Sequence, residues 1–171
     1  MAALEFALTL PLWITMLLGV ADGTYCLLIN EKTDRIAYSV TDIATQYKSL
    51  SLAQLNDIIL AASELMKPFP FDNKGLVIVS SIYKPAGESA YICWQYSGGG
   101  TLVQSSKIGT TGGVPTLPAG LTLNDYDNVL VSEVYYDFSP IFTGSGLFSS
   151  GVVYRTAIYK PRLSPLCNTP I

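Results

Sequence analysis

The sequence predicts an α+β protein in which a long N-terminal hydrophobic helix continues into a globular domain with a second helix and an antiparallel sheet. Residues 1–29 are almost wholly apolar, and their charged side chains are those of Glu5 and Asp22. Helical spacing of apolar residues continues well beyond this stretch and is followed by patterns typical of strands. Because the helices precede the strands, we expect one antiparallel sheet. The chain is therefore divided into a hydrophobic helix, 1–29, and a globular domain, 30–171.

The first 29 residues are long enough to cross a membrane. A helix rises about 1.5 Å per residue and a bilayer core is about 30 Å thick, so about 20 apolar residues suffice. Pro11 removes one backbone donor, so a kink or a loosened turn is expected there. A cleavable secretory signal would begin with Lys or Arg, and none is present. A plain membrane anchor leaves Glu5 unexplained, because a carboxylate beside lipid is costly and marks a functional site.

The first helix is predicted to continue to about Lys48 and to pack one face on the domain. A second helix is predicted to begin at Ser51, which forms a capping-box pattern with Gln54, and to end before Pro68 and Pro70. The apolar face of the first helix beyond the membrane stretch is formed by residues three and four apart: Ile36, Val40, Ile43, Ala44 and Tyr47.

Strands are predicted where β-branched and aromatic residues are enriched between turn signals, at 76–83, 90–96, 129–138 and 152–160, with a shorter candidate at 101–105. Loops are predicted at 109–120, which consists largely of Thr, Gly and Pro, and at 139–151, which contains Pro and three Gly. The glycine-rich turn at 97–101 lacks the Lys of a phosphate-binding loop, so a hairpin is favoured and no cofactor is expected.

Composition excludes several classes of function. The chain has 171 residues, enough for one domain beyond the helix; 49% are hydrophobic and only 13% charged, which suits a membrane or assembled protein. It contains no His, which removes Ser-His-Asp triads, His metal sites and the commonest general base. The net charge is -3 without a basic run, so nucleic acid is not an expected partner.

The N-terminal pattern resembles that of a processed type IV pilin. MAALEF at 1–6, followed by an apolar helix, is similar to a prepilin after leader removal, with Glu at the fifth position. ALEFALTLPL at 3–12 resembles the TadE/TadG-like pilins and pseudopilins of Tad (tight adherence) pili, which typically read Glu-Phe-Ala, aliphatic residues, then Pro. Near the other end, VSEVYY at 131–136 with PIF at 140–142, and YRTA at 154–157 with KPR at 160–162, resemble the last two strands of that family.

This resemblance implies a structural pilin subunit, minor or shaft, of an extracellular adhesive filament. The implied partners are other pilin subunits, the bacterial inner membrane before assembly, the prepilin peptidase and the assembly machinery. The protein would reside in that membrane and then in the pilus at the cell surface. Met1 would be the mature terminus, whose amino group pairs with Glu5 of a neighbour. The implied assembly residues are Met1, Glu5, Phe6 and Pro11.

An extracytoplasmic domain meets oxidising conditions, which bears on the three cysteines. Cys93 lies on a predicted strand and Cys167 in the C-terminal tail, so these two are the favoured disulfide, whereas Cys26 lies in the apolar helix and is expected to be free. Three buried free thiols are the alternative. A zinc site is not favoured, since no Cys-x-x-Cys occurs.

Other functions stay open at this point. The main rival is a monomeric, membrane-anchored extracytoplasmic binding domain that uses a tyrosine-bearing sheet. Asp125 and Asp127 are a weak calcium candidate, for which a turn before a strand is the better explanation. An enzyme is a distant third, because its carboxylates show no pairing pattern: Glu64, Glu88, Glu133 and Asp137.

Overall fold

A helix-and-sheet domain packs around the C-terminal half of one long helix. The computed structural model describes residues 2–118, 120–142 and 148–167, with side chains from Leu4 onward. The four strands form one antiparallel sheet in the order β2-β1-β3-β4, which confirms the predicted fold class. In chain order the elements are α1 (Ala2–Ala44), α2 (Leu52–Ser63), a 3₁₀ turn (Glu64–Met66), β1 (Gly75–Tyr83), β2 (Tyr91–Gly98), β3 (Asn128–Phe138) and β4 (Gly151–Tyr159).

The C-terminal half of α1, which we call its upper half, packs on one face of the sheet. We call this face the inner face. Its buried positions recur every three or four residues, as an amphipathic helix requires, and they are Ile29, Thr33, Ile36, Ala37, Val40, Thr41 and Ala44. The prediction was correct for Ile36, Val40 and Ala44. Ile43, however, is 37% exposed, because it lies beside the buried stripe rather than within it.

α1 ends at Ala44, four residues before the predicted end at Lys48. The helix tightens at this point into a turn in which the amides of Gln46 and Tyr47 donate to the carbonyls of Ile43 and Ala44, three residues back. Beyond the helix, the amide of Arg162 donates to the Thr45 carbonyl at 3.0 Å, and Ser164 Oγ donates to the Lys48 carbonyl at 2.7 Å. These bonds from the C-terminal segment hold the connection that leads from α1 into α2.

The predicted capping box of α2 is present. Ser51 Oγ accepts from the Gln54 amide at 3.2 Å, and Gln54 Oε1 accepts from the Ser51 amide at 2.9 Å. The apolar stripe of the helix faces the core through its buried residues, Leu55, Ile58, Ile59 and Ala62.

The four longer strands lie where the sequence predicted them, within two residues at each end, but the strand at 101–105 was wrong. This segment crosses the outer face of the sheet, opposite α1. β1 already pairs with β2 and β3, so it offers no free edge. The segment makes isolated bonds instead: the Leu102 amide donates to the carbonyl of Gly75, the first residue of β1, and the Ser105 carbonyl lies 3.1 Å from the Tyr135 hydroxyl.

The same region covers much of the outer face. Ile108 and Leu123 pack on Ile82, Ile92 and the outward residues of β3, while Leu102 packs on Tyr135. The sheet is therefore buried on both faces over much of its area, by α1 on the inner side and by a loop layer on the outer side.

Candidate functional site

The N-terminal part of α1 from Leu4 to Ala21, which we call its lower half, is not buried by the described residues of the domain. Every side chain from Leu4 to Leu17 is exposed, and the most apolar 18-residue window of the helix has none of its residues buried. Among the described residues, α1 is the one helix that is long and apolar enough to cross a membrane. Because a core helix of a soluble protein would be covered by its own domain, this surface needs lipid or other chains to cover it.

The predicted assembly residues fall on this free half. Glu5 lies in the first turns of α1 and makes no ion pair with any residue that the structure describes. Phe6 is exposed. Met1 lies outside the described residues. α1 passes through Pro11 without a break, so the proline removes one backbone donor while the helix continues on both sides.

The threonine hydroxyls in and next to this half are bonded to carbonyls of their own helix. Thr9 Oγ1 donates to the Glu5 carbonyl at 3.1 Å, Thr15 Oγ1 to the Leu12 carbonyl at 2.9 Å, and Thr24 Oγ1 to the Val20 carbonyl at 2.8 Å. Such back-bonding satisfies hydroxyl donors without water. Glu5 is consequently the side chain in the span from Leu4 to Ala21 whose charge remains to be neutralised.

Asp22 marks the point where the domain begins to contact the helix. It is fully buried, and its Oδ1 accepts from the backbone amides of Ile141 and Phe142 at 2.9 and 3.2 Å. The ring of Phe148 lies against Gly23, where an added Cβ would come within 3.3 Å of it. Sequence reasoning missed this contact, because nothing local to Asp22 indicates a partner more than a hundred residues away.

Cys93 and Cys167 lie at disulfide distance, with Cα atoms 5.2 Å apart, and Cys26 is free. The C-terminal segment is held at two further points. Trp94 Nε1 donates to the Leu166 carbonyl at 2.7 Å, and the Leu166 amide donates to Asn128 Oδ1 at 2.7 Å. The disulfide therefore joins a tail that also bonds to β2 and β3.

Asp125 and Asp127 both bind lysines. Lys84 Nζ lies 3.2 Å from Asp125 Oδ1, and Lys160 Nζ lies 2.7 Å from Asp127 Oδ1. Asp127 Oδ2 also accepts from the Asn124 amide at 3.0 Å, which is the geometry of a turn. The hydrogen bonds from Lys160 and Asn124 hold the pKa of Asp127 below its ordinary value. Within the described part of the chain, no group of three or more His, Cys, Asp or Glu side chains is placed to hold a metal ion.

Glu133 is the one enzyme-candidate carboxylate that is buried, and it lies on the outer face of β3. Its Oε1 accepts from the Tyr135 and Tyr154 hydroxyls at 3.0 and 3.1 Å and from the Lys107 amide at 2.8 Å, while Ser106 Oγ bonds to Oε2. Burial, together with the nearby carboxylate, raises the pKa of both tyrosine hydroxyls well above their usual range. They remain proton donors, so this network fastens the outer loop layer to the sheet.

Comparison of the chain with models of known protein families, with curated proteins and with solved structures finds no match. What can be said of its class therefore comes from its own geometry. A long N-terminal apolar helix, free over its first half and packed on a sheet domain over its second, is a pilin-like architecture.

Proposed function

We propose that this chain is a structural pilin subunit, minor or shaft, of a Tad-like type IV pilus. The observation that carries the proposal is the position of Glu5, a carboxylate near the start of an apolar helix that pairs with no cation among the described residues and lies where the described part of the domain leaves the helix uncovered. A plain anchor needs the apolar surface but not the carboxylate. Assembly of many such helices side by side accounts for both.

Before assembly, α1 anchors the chain in the bacterial inner membrane and the domain lies outside the cytoplasm. The Cys93–Cys167 pair supports this placement, because disulfides persist in oxidising compartments. On assembly, the apolar surface of α1 exchanges lipid for the helices of neighbouring subunits. The filament then extends from the cell surface, where it adheres.

Glu5 sets the axial register in this mechanism. The amino group of an incoming Met1 is positive and Glu5 of a neighbour is negative within the same apolar layer, so pairing removes two costly charges at once. Removal of one partner of such a pair leaves the other buried and costs about 3–5 kcal/mol. The prepilin peptidase that exposes Met1 would thereby create one half of the contact.

Substitution of Glu5 tests the proposal. We expect Glu5→Gln, which keeps the side-chain size and removes the charge, to lower the ratio of subunit in sheared surface filaments to subunit in membranes. Glu5→Ala should lower it further, and both variants should remain inserted and folded, because Glu5 is exposed and forms no ion pair with the described residues of the domain. The matched control is Glu31→Gln on the same helix, where the carboxylate is exposed and pairs with Arg35 at 3.3 Å.

Normal incorporation of both Glu5 variants would show that the carboxylate is incidental, and the plain-anchor interpretation would replace the pilin. The rival binding domain has less support, because loops cover much of the outer face of its proposed tyrosine sheet. Electron microscopy of the purified protein separates the two, since filaments would favour the subunit and isolated particles the monomeric domain.

A further inference from the structure

The connection between β3 and β4 is bonded to α1 at one position along the helix, Asp22. Two consecutive backbone amides, those of Ile141 and Phe142, bond to one carboxylate oxygen of Asp22. Ile141 is 60% exposed and Phe142 38% exposed. We call these two side chains the basal patch.

The level of the basal patch follows from helix geometry. Asp22 lies about 26 Å beyond Glu5 along a helix that rises about 1.5 Å per residue, and a bilayer core is about 30 Å thick. When the free half of α1 spans that core, Asp22 comes to the boundary between acyl chains and headgroups. The basal patch is bonded to Asp22, so it comes to the same boundary.

The chemistry of this segment suits that position. Between Asp137 and Arg155 the sequence carries no charged residue. The two large apolar side chains of the patch lie at the level where the uncovered span of α1 ends, because their backbone amides bond to Asp22, the residue that follows this span. Exposed apolar side chains next to a membrane-crossing surface are typical of segments that enter the interfacial region by about 5–10 Å.

We infer that the basal patch inserts into the headgroup–acyl boundary of the bilayer, so that the domain is held at the membrane by two contacts, α1 and the patch. The inference rests on the proposed membrane insertion of α1. Its consequence is rotational: a single helix lets the domain turn freely about its axis, whereas a second lipid contact fixes which face of the domain lies toward the membrane. On assembly the patch must leave lipid together with α1.

Depth-dependent quenching in lipid vesicles tests the inference on the full chain. In a Cys26→Ser background that retains the Cys93–Cys167 pair, one cysteine is introduced at a time and labelled with an environment-sensitive fluorophore. Ile141→Cys reports on the patch, and Leu12→Cys reports on the span. Leu163→Cys is the matched aqueous control, because Leu163 is 59% exposed and follows Arg162, which contacts the far end of α1.

Lipids that carry a nitroxide at the headgroup or high on the acyl chain should quench the label at 141, deeper nitroxides should quench the label at 12, and neither should quench the label at 163. If the label at 12 is quenched and the label at 141 behaves like that at 163, the patch inference is overturned and the anchor stands. If the label at 12 is not quenched, membrane insertion itself has failed. Protection of 141 from both lipid nitroxides and aqueous iodide would identify a second copy of the chain as the true occupant.

Asp22 gives a second, independent arm. Asp22→Asn keeps an acceptor oxygen for the two amides, so the label at 141 should stay at the same depth. Asp22→Ala removes the acceptor, so the label should become shallower and more accessible to iodide, while the label at 12 does not change. Equal depth at 141 in Asp22→Ala and in the parent would show that Asp22 does not position the patch.

Discussion

Leu12 and Ile36 lie on one uninterrupted helix, yet Leu12 is 68% exposed and Ile36 is fully buried. Both positions are aliphatic, and a composition profile alone does not distinguish them. The difference lies in what covers them. Ile36 is covered by the sheet of its own domain, whereas Leu12 is left exposed by the residues that the structure describes.

The polar residues of the two halves differ in the same way. In the lower half, Thr9 and Thr15 bond to carbonyls of their own helix. In the upper half, Thr41 Oγ1 lies 2.6 Å from Ser132 Oγ of β3, and Ser132 Oγ donates to the Ala37 carbonyl at 2.7 Å. The threonine hydroxyls of the lower half are thus satisfied within one helix, whereas the upper half is also bonded to other parts of the domain.

The largest expected effect comes from matched aliphatic truncations in the two halves. Ile36→Ala should lower the free energy of unfolding of the domain by about 2–5 kcal/mol, because it leaves a cavity in the core. Leu12→Ala should change it by less than about 0.5 kcal/mol, because the described residues of the domain leave Leu12 exposed. Denaturation in detergent measures both, with Trp94 fluorescence as the signal in a Trp13→Phe background, so that the buried Trp94 is the only tryptophan.

Equal destabilisation by the two truncations would contradict the comparison, since it would mean that the lower half packs on the domain. A harmless Ile36→Ala would contradict it from the other side. The Cys93–Cys167 pair must stay oxidised in every sample, because loss of a disulfide in a small domain costs about 2–5 kcal/mol on its own.

Local signals gave much of this fold in advance. The capping box at Ser51 depends on residues three apart, and the four long strands depend on β-branched and aromatic runs between turns, so both are readable from short windows. The end of α1 was misplaced because the residues just beyond it, Thr45 and Lys48, are bonded through their carbonyls to Arg162 and Ser164, far away in the chain. The strand at 101–105 was wrong because the segment packs on the outer face of the sheet through Leu102 instead of pairing with an edge strand, and a short window does not indicate that choice.

Part of the candidate site could likewise be predicted from the sequence, and part of it could not. Glu5 is visible in the sequence because a lone carboxylate near the start of an apolar run is anomalous by itself. The link from Asp22 to Ile141 is not visible, since it joins two segments that look ordinary in isolation. The available signal was the stretch without charged residues between Asp137 and Arg155. A loop without charge that carries large apolar residues indicates an apolar environment.

A smaller effect is expected where the two halves differ in hydroxyl bonding. Ser132→Ala should cost the domain about 1 kcal/mol, the net value of a typical intramolecular hydrogen bond, because Thr41 Oγ1 can still donate to the Ala37 carbonyl at 2.8 Å. Thr15→Val in the lower half should leave domain stability unchanged. The same detergent denaturation compares them. A loss for Thr15→Val equal to that for Ser132→Ala would contradict the division between the halves.

The smallest expected effect concerns charge, which the upper half carries and the span from Leu4 to Ala21 lacks apart from Glu5. Arg155 Nε lies 3.2 Å from Asp34 Oδ2, with the two side chains 39% and 42% exposed. Exposed pairs of this kind contribute about 0.2–1 kcal/mol, and the Debye length falls to about 3 Å at 1 M salt. Asp34→Asn should therefore destabilise the domain slightly at low salt and not measurably at high salt.

Two further hydrogen bonds of Arg155 limit the size of the destabilisation by Asp34→Asn. Arg155 also donates to the Tyr154 carbonyl at 2.9 Å and to Asn30 Oδ1, so its guanidinium stays in place after Asp34 loses its charge, and the loss should fall at the low end of the range. The control is Asp57→Asn on α2, an exposed residue that forms no ion pair with any part of the chain that the structure describes; it should show no salt-dependent difference. A loss for Asp34→Asn above about 2 kcal/mol that persists at high salt would mean that the pair behaves as a buried one. The side of α1 that carries Asp34 would then be bound to the domain as firmly as the buried stripe that contains Ile36. In that case the whole circumference of the upper half, and not only its buried stripe, would differ from the lower half.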